Sequence, residues 1–280
     1  MHLKAQAIKI WAYVSIALVC VSILFLFGYI FYKGSSVISW SFITQMPRGA
    51  VLGQEGGIWP AIMGSLYFTG TAVILGGIPA VATAVYLVFF CKTKQVYATM
   101  HFILKSIAGL PSIVLGLFAY SLLVKTLGLG RSILAGGVAL AIMILPFIEA
   151  RAEKALNEVP REFIYASEAL GCSRFYTFRK IILPACWHEL VAGMVLGACF
   201  AMGATAPIIF TGGVAFAAAP TSVFEPAMAL PLHLYLLLAQ GTSMPQVYGT
   251  AFVLMVIVLV ANMLVTIFVR GRHSKKWKAY

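Results

Sequence analysis

Few side chains in this 280-residue sequence have the type and spacing to do chemistry. All eight acids are Glu and the five His are scattered, so no grouping has metal-ligand spacing and no metal site is expected. The five cysteines (Cys20, Cys91, Cys172, Cys186 and Cys199) show no paired spacing, which argues against a disulfide framework. No nucleophile is paired with a base, and no G-x-x-x-x-G-K-[ST] phosphate loop occurs. The chain is therefore read as non-catalytic, without a cofactor of its own. Two features remain. "EALGCSRFYTFRKIILPA" at 168–185 sets Arg174, Arg179 and Lys180 among aromatics, between Gly171 and Pro184. Further on, Thr205 and Thr211 are isolated hydroxyls in an apolar stretch.

The elements that must carry these features are set by composition. The chain is 61% hydrophobic and 10% charged, with a mean hydropathy of +0.96. A soluble domain is about 45–50% apolar and about 25% charged. Water cannot solvate most of this surface, so an all-α integral membrane protein is expected, with lipid around it. The net charge of +12 would suggest nucleic acid in a soluble protein, but here its distribution carries the meaning and no nucleic-acid partner is expected.

Windows of about 20 residues give six spans, near 11–32, 58–90, 102–124, 133–148, 190–210 and 247–269. The first is too long for a signal peptide and has no small-residue cleavage site. Gly76, Gly77 and Pro79 predict a bent second span. With both termini in the cytoplasm, 16 of the 20 Lys and Arg fall inside, and only Lys33, Arg48, Lys125 and Arg131 fall outside.

The loop 149–189 holds six Lys or Arg and six Glu, and it reads as two short helices. Pro160 starts the first, which places Phe163, Ala166 and Leu170 on one face before Gly171 ends it. Ser173 caps the second, which runs to Ile182, and Pro184 is expected to stop it. Charge alone fits a partner-docking element and a solvated loop that only fixes topology equally well.

The spacing decides between them. Gly171, nine residues, Ile181, one residue, then Leu183-Pro184 resembles the EAA loop of ABC-importer permeases. The motif's leading Glu-Ala-Ala falls on Tyr165, Ala166 and Ser167, with Glu168 one turn along in place of the missing Glu. "GGIWPAIMGSLYFTG" at 56–70, "GLPSIVLGLFAY" at 109–120 and "GATAPIIFTGG" at 203–213 are similar to permeases of the phosphate-specific transport family, nearest its PstA-type subunit. The resemblance implies a type I importer permease fold with a cytoplasmic coupling-helix loop. It divides the chain into a first helix and outer loop (1–57), a permease domain (58–270) and a basic tail (271–280). The implied setting is a bacterial or archaeal cytoplasmic membrane. A second permease, identical or homologous, two ATPase subunits carrying ATP and Mg, and an extracytoplasmic binding protein complete the transporter.

The same resemblance raises a substrate question. Similar phosphate permeases carry an Arg and a Glu where this chain has Phe200 and Ala204. That leaves Phe200, Ala204, Thr205 and Thr211 as the candidate pathway wall, with the two hydroxyls either facing solute or back-bonded to their own helix. Gly193, Gly197 and Ala201 form a small-residue face for helix packing. Two readings follow: the partner permease supplies the cation, or the solute is not phosphate. A secondary transporter or channel is the rival class, against which the scarcity of intramembrane charge argues. In the outer loop 212–244, Glu225 is read as an ordinary solvated acid or a contact for the binding protein. The stretch 227–238 is expected to dip into the outer leaflet or to pack over the pathway mouth.

Overall fold

The computed structural model describes residues 2–49 and 51–276, with the side chains of 2–5, 7 and 269–276 outside the description. Lys4, Arg270 and the basic side chains of the expected tail therefore lie outside what is described. The backbone of 271–276 continues the last helix.

Helix α1 (His2–Gly34) is apolar over Ile8–Gly34, long enough to cross a bilayer, and it packs on the last helix, α13 (Met244–Lys276). Gly34 permits this contact, since a Cβ there would lie 2.9 Å from the Tyr248 and Gly249 backbone. The Phe31 and Phe252 rings continue the seam at 5.1 Å. A short helix α2 (Trp40–Thr44), capped by Ser39, leads to a two-residue hairpin of β1 (Pro47–Arg48) and β2 (Glu55–Gly56). This hairpin is the one sheet among the described residues.

The second span, Trp59–Phe90, joins α3 (Trp59–Ala72) to α4 (Ile78–Val85) through a π-helical turn, Val73–Gly77, and ends in another, Tyr86–Phe90. The expected Gly-Pro disturbance is thus a local widening of one continuous element. A π turn absorbs the carbonyl clash and missing N–H of Pro79. Gly76 sits against the next core helix, where a Cβ would come within 2.6 Å of the Ala141 carbonyl oxygen.

The third span departs from expectation. Helix α5 (Lys94–Ala108) and helix α6 (Ser112–Ala119), which runs on in π form to Thr126, meet at 98°. Pro111 biases Leu110 away from helical geometry, and Gly109 ends α5. Among the described residues, five helices are long and apolar enough to cross a membrane, and a sixth span requires counting this bent pair as one.

Helix α7 (Ile133–Asn157) is the buried centre of the fold and outruns the expected 133–148. Ser132 caps it through the Ala135 N–H at 3.2 Å. The fifth span is displaced relative to the sequence reading. It runs continuously over Arg174–Met202, breaks at 203–205, and resumes as α11 (Ala206–Thr211). Phe68, Leu140, Ile144, Ile148 and Ile208 fill the main core between these elements.

The outer loop folds back into the protein. Gly213 bridges Ala227, and the Ile133 N–H donates to the Glu225 carbonyl at 2.8 Å. Residues 227–233 are buried, so the stretch 227–238 begins inside the core, and α12 (Leu230–Gln240) exposes only later side chains such as Tyr235 and Leu238.

Candidate coupling element and pathway wall

The basic segment is a helix pair hung below the end of α7. Helix α8 (Arg161–Ala169) follows Pro160, and Gly171 turns the chain with a φ of +74°. No atom would crowd a Cβ at Gly171, so the left-handed backbone alone selects glycine there. Ser173 accepts from the Tyr176 N–H at 3.3 Å and starts α9 (Arg174–Thr177).

The second helix does not stop at Pro184. A π turn, Phe178–Ile182, carries α9 directly into α10 (Leu183–Met202), with Pro184 in the first turn of the new helix. The wider turn shifts the partner of each N–H back by one residue, which removes the obstacle proline presents to a regular helix. The fifth span and the coupling segment are consequently one rod.

The pair is pinned by polar and apolar contacts. The Ser167 and Thr177 hydroxyls, both buried, lie 2.8 Å apart. Val159, Ile182, Leu156 and Cys186 form the apolar anchor, against which Ile164 and Phe178 pack. Glu168 lies 3.9 Å from the Arg174 Nε in an exposed pair. The face containing Phe163, Ala166 and Leu170 points away from the protein, with Leu170 83% exposed. Tyr165, Phe175 and Tyr176 are exposed with it. Of the motif residues, Tyr165, Ala166, Glu168, Gly171 and Pro184 are exposed, Ile181 and Leu183 are half-buried, and Ser167 is internal.

At the other end of α10 the candidate wall is dispersed. Phe200 is half-exposed, packs on Phe147 with tilted rings at a centroid distance of 5.8 Å, and lines a cavity of about 440 Å³ with Ser112, Leu115, Met143 and Pro146. Ala204 packs against the core, and Thr205 heads α11 with no side-chain cap. Thr211 is fully buried, and its hydroxyl donates to the Pro207 carbonyl at 2.7 Å. Helix back-bonding accounts for it, and it leaves the candidate wall of this subunit. The small-residue face packs as expected: a Cβ on Gly197 would meet Ile148 at 2.5 Å, and Gly193 faces Arg151. Glu225 is exposed and accepts from the Thr221 N–H and hydroxyl, a local bond within the loop.

One polar cluster was invisible in the sequence. The Tyr97 hydroxyl donates to Glu153 at 2.7 Å, and His101 Nε2 lies 3.2 Å from the same carboxylate, joining α5 to α7. Glu149, a turn away, is buried. Tyr97 and His101 are more than 50 positions from Glu153 along the chain, and neither helix carries a signal that pairs them. In α12, His233 is buried with both ring nitrogens lacking a hydrogen-bond partner, and burial pushes its pKa down to about 4. Among the described residues, no group of three or more His, Cys, Asp or Glu could hold a metal ion.

Comparison with known proteins places this geometry. Residues 80–274 match the family described as binding-protein-dependent transport system inner membrane component. The phosphate transport system permease protein PstA 1 of Mycobacterium tuberculosis is 34% identical over 224 residues, covering 79% of this chain and 73% of that protein. A chain of the MetNI methionine ABC transporter superposes with a TM-score of 0.63 at 21% identity, covering 77% of this chain and 94% of that one. A chain of a bacterial alginate ABC transporter, solved with a pentasaccharide-bound periplasmic protein, gives 0.66 at 14% identity over 97% and 98%. Both solved structures share the fold. The chain is a multi-pass membrane protein and belongs to the inner-membrane permeases of binding-protein-dependent ABC importers, among the PstA-type members.

Proposed function

We propose that this permease forms half of the translocation pathway of an importer of inorganic phosphate and transmits ATPase closure through α8 and α9. The observation that carries the coupling role is the outward apolar face of Phe163 and Leu170, with Tyr165, Phe175 and Tyr176 also exposed, on a helix pair whose shape is fixed internally. Such a face is costly in water and suits a protein partner. The continuity of α9 with α10 gives that partner a rigid lever into the membrane. ATP and Mg belong to two partner ATPase subunits, and this chain binds neither. A second permease, identical or homologous, and an extracytoplasmic binding protein complete the assembly. The charge asymmetry supports placing both termini and the α8–α9 pair in the cytoplasm of a bacterial or archaeal cell.

Phosphate as the solute rests on the PstA-type relatives. The wall of this subunit is uncharged, since Phe200 and Ala204 bring no charge and the Thr211 hydroxyl is already bonded. An anion pathway needs a fixed cation to offset lost hydration, and in this reading the partner permease supplies it. The specific rival is an importer of the same family for a less charged solute, which the apolar wall favours. Calorimetry or mass spectrometry on the cognate binding protein separates the two. Bound phosphate, with an Arg in the partner at the position matching Phe200, supports the shared site; a binding protein indifferent to phosphate overturns it. Orientation is tested separately at Cys172. A membrane-impermeant maleimide should modify it only in inverted vesicles, and labelling in intact cells would reverse the topology.

A further inference from the structure

A groove of about 540 Å³ runs along the outside of the bundle, away from the Phe200 cavity. Ile78, Val81, Ala82, Val85, Tyr86 and Phe90 of the second span form one wall, and Phe178 and Met194 of the fifth form the other. Nothing polar enough to hold a hydrated solute lines it, and Ile78 and Phe90 remain 58% and 37% exposed. From Ile78 to Phe90 the helix rises roughly 18 Å at about 1.5 Å per residue. That is close to the depth of one leaflet, about half of a roughly 30 Å hydrocarbon core.

Charge borders the groove at its Phe90–Phe178 end. Lys92 and Lys94 follow Phe90, Arg179 and Lys180 are the next residues along the rod from Phe178, and all four are exposed. None of the four forms an ion pair among the described residues. An apolar slot of leaflet depth, with four free cations in the two segments that border its Phe90–Phe178 end, complements an amphiphile with a negative head. Basic residues at a membrane surface attract anionic lipid heads, whereas a tail alone gains little by leaving the bilayer for an equally apolar wall.

We infer that this groove is a binding site for one anionic phospholipid of the leaflet on the α8–α9 side, its acyl chain along Ile78–Val85 and its phosphate among Lys92, Lys94, Arg179 and Lys180. Phe178 lies in the π turn between α9 and α10 and packs on Phe89 at 5.9 Å. The lipid therefore touches the base of the rod that α8 and α9 would drive. The site does not depend on which solute is carried.

The experiment uses the assembled transporter in nanodiscs of mixed phosphatidylglycerol and phosphatidylcholine, followed by stepwise delipidation and native mass spectrometry. The expected result is at least one phosphatidylglycerol retained per copy of this permease after the phosphatidylcholine has gone. Exchanging the four cations (Lys92→Gln, Lys94→Gln, Arg179→Gln, Lys180→Gln) should cut that retention fivefold or more. These side chains are exposed, so the exchange tests the head site without disturbing packing. Ala82→Trp, which fills the slot, should displace the tail and lower retention with the head site intact. Equal retention of both lipids, or retention unchanged in the four-cation variant, overturns the proposal. Cross-linking of an Ala82→Cys variant to the second permease would also overturn it, by making the groove a subunit interface.

Discussion

The two ends of helix α10 solve opposite problems. At the α8–α9 end almost every large side chain faces outward, and the shape is set locally by Gly171, the Ser173 cap and one buried hydroxyl pair. At the 203–211 end the Thr211 hydroxyl is bonded internally and the backbone is set by distant neighbours, such as Gly116 against Ala206 and Arg131 against the carbonyls of Ile209 and Gly213. An element that must meet another protein keeps most of its side chains outside the core and rests on only a narrow apolar anchor, so local signals set most of its shape. A wall inside the membrane borrows its shape from the core, and there tertiary packing replaces local signals.

This contrast predicts where substitutions hurt, and the largest effect belongs to the packed end. A Cβ at Gly116 would lie 2.8 Å from the Ala206 carbonyl and 3.0 Å from Pro207 Cα, backbone atoms that cannot swing aside. Gly116→Val should destabilise by about 3 kcal/mol or more, read as loss of folded complex in detergent. Assembly at wild-type yield would break the claim that this end is held by close backbone approach.

His233 tests the same end by pH. Its folded pKa of about 4 lies below the ordinary value of 6.5, so the neutral ring is the form the fold favours. That contribution is complete above about pH 6.5 and is lost as pH falls toward 4, because the unfolded chain takes up the proton first. The loss should reach on the order of 3 kcal/mol at the acid limit. His233→Gln should flatten this part of the stability profile, measured by thermal unfolding across that range.

At the docking end the effects are smaller in stability and larger in coupling. Ser167→Ala removes one bond from the buried Thr177 hydroxyl, which keeps its bond to the Ser173 carbonyl, and should cost about 0.5–1.5 kcal/mol. The double variant Ser167→Ala with Thr177→Val should cost less than the sum, which a double-mutant cycle measures. Gly171→Val forces a β-branched residue to a φ of +74°, a penalty of about 1–2 kcal/mol that stays local. Membrane insertion should survive while transport-coupled ATP hydrolysis falls, and normal coupling would remove α8 and α9 from their proposed role. Smallest of all, Thr211→Val should change solute uptake by less than twofold, because its hydroxyl only returns to Pro207.

Sequence legibility follows the same division. The helix pair, its Gly171 turn and its Ser173 cap were readable because each rests on neighbours within a few residues. The continuation through Pro184 was not, because a π turn has no composition of its own and proline ordinarily ends a helix. The 98° break at 109–111 falls inside what reads as one apolar span, and its angle depends on how the two halves pack. The Tyr97–Glu153 bond had no sequence signal at all.

By itself the sequence determined that this chain lives in a membrane, which loop carries the basic helix pair, and which backbone position demands glycine. These follow from transfer free energy, charge placement and local sterics, all short-range in the chain. Only the tertiary structure decided that Thr211 is internal, that Phe200 meets Phe147 beside a cavity, and that the coupling segment and fifth span are one rod. Those facts depend on how helices distant in sequence share space, and a run of apolar residues reads the same whichever neighbour it meets.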